Sequence, residues 1–278
     1  MAASKNYQIR SISLPCRLHT TATRIGEELT RLINNRKEHD QEPNICHGLF
    51  GLQELYKSLH HLLNSSPMAR QAIARPQNSS RVGSLLDVSI QILDICGITR
   101  DLVVETRENL RDLQSGLRTR GRKLGVQTSI AKYISLRKVV KKNAKKLALI
   151  KLKAKADDDN DQDDKGTGYI VKIISEVNSV SFTVFESLLE FLASSSKTKL
   201  RSMVPKWLQK DGCKDESLNE LERVDEALRG LCKGVFQGEI MASLKCLEDG
   251  IQEMENGLDG LFRQLIRTRA SLLNILSQ

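Results

Sequence analysis

Residues 244–275 read LKCLEDGIQEMENGLDGLFRQLIRTRASLLNI. Within them Leu244, Leu247, Ile251, Met254, Leu258, Leu261, Leu265, Thr268, Leu272 and Ile275 alternate in steps of three and four. That alternation keeps one side of an α-helix apolar, and it is sustained here over about four heptads. Phe262, Ile266, Leu273 and Leu276 widen the stripe beyond what a two-stranded coiled coil requires. The segment therefore reads as the core helix of a bundle, with those four side chains expected inside it.

The same rhythm recurs upstream. Ile170, Ile173, Ile174, Val177, Val180, Val184, Leu188 and Phe191 mark a helix from residue 169, and Ser217 with Glu220 has the spacing of a capping box opening another. Leu86, Leu93, Cys96, Val103, Leu110 and Leu117 share a seam over residues 80–119, where Gly97 is expected to admit a close neighbour. Leu52, Leu55, Leu59 and Leu62 line a helix over 47–63, and Ile25, Leu29, Leu32 and Ile33 one over 21–37. Aromatic residues make up 4% of the chain and Pro occurs five times, a mix that favours helices over sheet. The expected fold is all-α: an elongated bundle of long antiparallel helices behind a disordered N-terminal arm. Its expected divisions are a flexible basic arm (1–20), a helical region ending in a basic helix (21–156), an acidic linker (157–168) and a second helical region (169–278) packing on the first to form one bundle.

The chain is long enough, at 278 residues, to bury a substantial core without staples. Its six cysteines form no CxxC pair and no secretory signal precedes them, which points to a reducing compartment, the cytoplasm. No run of about 18 apolar residues stands out, so membrane contact is expected to be peripheral. Residues 1–26 hold four basic residues, no acid and many Ser and Thr. That composition suits a disordered tail, the favoured reading, or a plastid transit peptide.

Charge is concentrated in one place. Residues 118–156 hold fourteen Lys or Arg and no acid, leaving −5 for the remainder of a chain of net charge +9. Tyr133, Leu136, Val140, Ala144 and Leu147 recur at helical spacing, while Lys138, Lys141, Lys142, Lys145 and Lys146 occupy the other faces. This basic amphipathic helix suits a solvated bundle face, an anionic membrane surface, a calmodulin-like or other acidic protein, or nucleic acid. The lysines are the candidate anion-binding residues, because cations without interspersed acids repel one another and attract anionic partners. Nucleic acid ranks last, since no stacking platform or RNA-binding motif accompanies the charge. Six aspartates follow in 157–164 and could fold back as a weak, salt-screened counter-charge.

A second candidate lies in the arm. Arg10, Ser13 and Pro15 fall in an R-S-x-S-x-P arrangement, the pattern read by 14-3-3 proteins once the serine is phosphorylated. Catalysis has no comparable signal. The five histidines match no zinc spacing, no nucleotide-binding loop or nucleophile elbow is present, and no cofactor, metal or catalytic residue is assigned.

Several stretches in fixed order carry a resemblance that spans nearly the whole chain. They are residues 10–15 (RSISLP), 84–87 (SLLD) through 95–101 (ICGITRD), 136–138 (LRK), and 261–269 (LFRQLIRTR) with 271–276 (SLLNIL). Together they resemble a plant-specific helical family labelled BYPASS-type. The resemblance implies a role in root and shoot development, in a family that restrains a mobile signal, and it supplies no binding residues; joined to the missing catalytic motifs, it makes a non-enzymatic regulator the leading expectation. Two alternatives stay open: a helical adaptor without a charged ligand, and a small-molecule carrier or enzyme acting on the mobile signal, which would need an apolar pocket with convergent polar groups.

Overall fold

A computed structural model describes residues 17–34, 45–118, 123–159, 169–193, 220–230 and 237–277. Among these the fold is all-α, with eight α-helices and a short 3-10 turn at Pro76–Asn78. They are α1 (Arg17–Asn34), α2 (Ile45–Ser65), α3 (Pro67–Ile73), α4 (Ser79–Arg118), α5 (Lys123–Asp159), α6 (Tyr169–Ala193), α7 (Glu220–Gly230) and α8 (Gln237–Leu276).

Local chemistry sets several of these boundaries. Ser66 ends the run of α2, and its hydroxyl accepts the Ala69 N–H at 3.2 Å to cap α3, with Pro67 preset for the first turn. No Gly or Pro interrupts residues 126–159, so a helix once nucleated propagates freely. For that reason α5 continues to Asp159, inside the stretch expected as acidic linker. Likewise α1 begins at Arg17, just after Pro15 and inside the expected arm.

The core is built by α2, α4, α6 and α8. Helix α8 packs along α2 and α4, α6 packs on the same two, α5 closes the α4–α6 side, α1 the α2–α6 side, and α7 lies on α8. The seam expected of the last helix is buried throughout, including Thr268, whose hydroxyl donates to the Tyr56 carbonyl at 3.3 Å. The wider face departs from expectation. Ile266, Leu273 and Leu276 are exposed and Phe262 is half-buried, because α2 and α4 embrace one stripe of α8 and leave its flank uncovered.

Polar contacts at several heights lock α4 antiparallel to α8. Arg100 lies 3.5 Å from Asp259, Arg107 lies 2.6 Å from Glu255, and Arg111 Nε donates to Glu248 at 2.8 Å. Close helix approach occurs at Gly51, Gly257 and Gly260, where an added Cβ would meet Leu32, Leu49 and Gln53. Gly97, expected to serve that purpose, has nothing within 4 Å of its missing Cβ. By length and composition alone, the span Pro76–Arg118 is apolar enough to cross a membrane. Its Val82, Ile92, Cys96, Val103 and Leu110 are buried within the bundle.

Candidate functional site

Helix α5 divides its residues cleanly. Tyr133, Leu136, Val140 and Leu147 are buried in the core, and the helix packs against α4 and α6. Lys138, Lys141, Lys142, Lys145 and Lys146 are all exposed, spread over an arc of roughly 140° at about 100° per residue. Among the described residues, none of the five takes part in an ion pair. Ile134, Val139 and Leu149 stand among them, between 44% and 62% exposed. The outward face is therefore cationic with apolar side chains interspersed.

Three other cations of α5 are engaged. Lys132 lies 3.3 Å from Asp112 of α4, and Lys151 pairs with Glu186 of α6. Arg137 is buried, 3.1 Å from Asp225 of α7, and also donates to the Leu192 carbonyl at the end of α6. The second Asp225 oxygen accepts the Tyr133 hydroxyl at 2.9 Å. Burial drives the Tyr133 phenol well above its ordinary range, with nearby Arg137 opposing the shift. These three cations join helices to one another, so the α5 charge left without an ion pair among the described side chains is smaller than the composition suggests and includes the five lysines.

Beside this face runs an open groove of about 560 Å³ between α4, α5, α6 and α8. Ile98, Ile150, Leu189, Phe262 and Ile266 give it apolar walls, and Asp94, Asp101, Asn143 and Lys146 supply its polar groups. The Arg100 guanidinium sits 5.3 Å above the Phe262 ring, which holds that aromatic half-covered at the edge. The volume falls in the range that small-molecule sites occupy. Among the described residues, no cluster of His, Cys, Asp and Glu is placed to hold a metal ion.

The family model described as Protein BPS1 matches residues 48–275. The chain belongs to the BYPASS-type family. The matched BYPASS-type region begins within α2 and ends within α8, so it takes in all five candidate lysines and the groove. Membership in this plant-specific family fits a regulatory role in plant development. No curated protein and no solved structure matches the chain.

Ser13, Arg10 and Pro15 lie outside the described residues. What the sequence pattern missed is the apolar component of the lysine face and the groove beside it. Ile134 and Leu149 were legible as apolar residues off the main stripe. The groove was not, since it is assembled from four helices.

Proposed function

We propose that the protein is a non-enzymatic regulator that docks peripherally on anionic membrane surfaces through the outward face of α5. The observation that carries this reading is the set of five exposed lysines without ion pairs among the described residues, interleaved with exposed Ile134, Val139 and Leu149. A lysine near an anionic bilayer contributes on the order of 1 kcal/mol, so five together suffice for reversible attachment. Apolar side chains among them add contact at the headgroup boundary. The main apolar stripe of α5 is already covered by the bundle. A calmodulin-like partner, which takes an amphipathic helix into a groove, would have to extract it.

The test is co-sedimentation of the full chain with phosphatidylcholine vesicles, with and without phosphatidylserine. Binding is expected only to the anionic vesicles, to fall with added salt, and to be lost when Lys141, Lys142, Lys145 and Lys146 are changed to Glu. Equal binding by that variant would overturn the reading.

A further inference from the structure

A second charged stripe runs along α4, opposite in sign to that of α5. Asp87, Asp94, Asp101 and Glu108 recur every seven residues, with Glu105 and Asp112 between and beyond them. At about 100° per residue all six fall within an arc of roughly 60°, and all six are exposed. Asp112 meets Lys132, whereas Asp94, Asp101, Glu105 and Glu108 make no ion pair among the described residues.

The Lys132–Asp112 contact also marks the height of α5 against α4. Counting away from it along two antiparallel helices of equal rise, Asp101 comes level with Asn143 and Glu105 with Val139. Asp101 and Asn143 indeed line the same groove, together with Asp94 and Lys146. The acidic and basic stripes thus lie side by side at one height on one side of the molecule.

Such a face is complementary to itself. A two-fold axis along the α4–α5 seam would lay α4 of each copy antiparallel on α5 of the other, bringing Asp101 and Glu105 onto Lys138, Lys141, Lys142 and Lys145 twice over. Exposed Ile98, Ile134, Val139 and Leu149 lie within the same face and supply apolar contact, while the charges fix orientation and partner choice.

We propose that the α4–α5 face is the interface of a homodimer. Its lysines are those of the membrane reading, but self-association is measured without lipid, so either idea can fail alone.

The experiment is sedimentation equilibrium of the full chain, at low and high salt, for wild type and two charge-reversed variants. One carries Asp94, Asp101, Glu105 and Glu108 changed to Lys. The other carries Lys138, Lys141, Lys142 and Lys145 changed to Glu, and circular dichroism confirms that both are helical. Wild type should be dimeric at low salt and dissociate as salt rises. Each variant should associate roughly 100-fold more weakly, and mixing the two should restore a dimer, because opposite stripes then meet again. A wild-type monomer at every concentration would overturn the proposal, as would unchanged association in either variant or no recovery on mixing.

Discussion

The Arg137 guanidinium stands 3.1 Å from the Asp225 carboxylate, with little more than a tenth of either side chain exposed. This pair ties α5, the helix that bears the lysine face, to α7 beyond the acidic run, and the Tyr133 hydroxyl completes it from below. Removing one member of a buried ion pair strands the other, which costs about 3–5 kcal/mol, whereas replacing both with apolar groups costs far less. Arg137→Ala should therefore lower unfolding stability by about 3 kcal/mol, and Arg137→Met with Asp225→Leu should recover most of it. Urea unfolding followed by circular dichroism measures both. A loss below about 1 kcal/mol in the single variant would show that the pair does not hold α7 in place.

Glu248 links stability to acidity. Hydrogen bonds from Arg111 and Gln114 hold its carboxyl below the ordinary glutamate range, against a smaller opposing effect of burial. Its pKa is lower folded than unfolded, so the stabilisation is complete above the unfolded value of about 4.3 and is lost as pH falls through the folded value. Glu248→Gln should be less stable than wild type at neutral pH, with the difference shrinking below about pH 4. Melting temperatures across that range give the answer, and parallel curves for the two proteins would refute it.

Cys96 and Cys246 should differ sharply toward alkylating reagents. The Cys96 thiol is fully buried and pushed up to about 12 by that burial, with Arg100 opposing. Cys246 is exposed. Thiolate is the reactive form, so iodoacetamide at mildly alkaline pH should modify Cys246 in the native protein and reach Cys96 after unfolding. Peptide mass spectrometry distinguishes the two sites, and rapid native labelling of Cys96 would contradict its burial.

Glycines inside the long helices offer a paired comparison. Gly97 has open space around its missing Cβ, while at Gly257 a Cβ would come within 3.3 Å of Leu49. Gly97→Ala should raise stability by about 0.5–1 kcal/mol through helix propensity alone. Gly257→Ala should fall at least about 1 kcal/mol below it, because Leu49 must shift. Equal effects at the two positions would mean that the α2–α8 contact is looser than described.

The helices were legible because the apolar periodicity in the last 40 residues is long and regular, and every position of its a/d seam is buried. What one helix cannot declare is how far its neighbours wrap around it, and so Ile266 and Leu273 were read as core although they face outward. Gly97 was misread for the same reason: a glycine reveals that space exists, while the partner that fills it lies elsewhere in the chain. The lysines of α5 were visible as composition. Separating Arg137 and Lys151, which join helices, from Lys138 and Lys145, which make no ion pair among the described residues, required Asp225 and Glu186 to be brought alongside. The heptad of acids on α4 was present in the sequence too, but its meaning depends on the neighbouring basic stripe.

Arg100, Arg107 and Arg111 engage α8 at successive heights along two rods of about 60 Å each. Deleting a single residue from the middle of either rod would swing every side chain beyond the cut by about 100°, turning core positions toward water and unhooking the remaining arginines. Length variation should accordingly be confined to the joints between rods. Residues added to the connections would leave α4 and α8 locked in step like the halves of a zip.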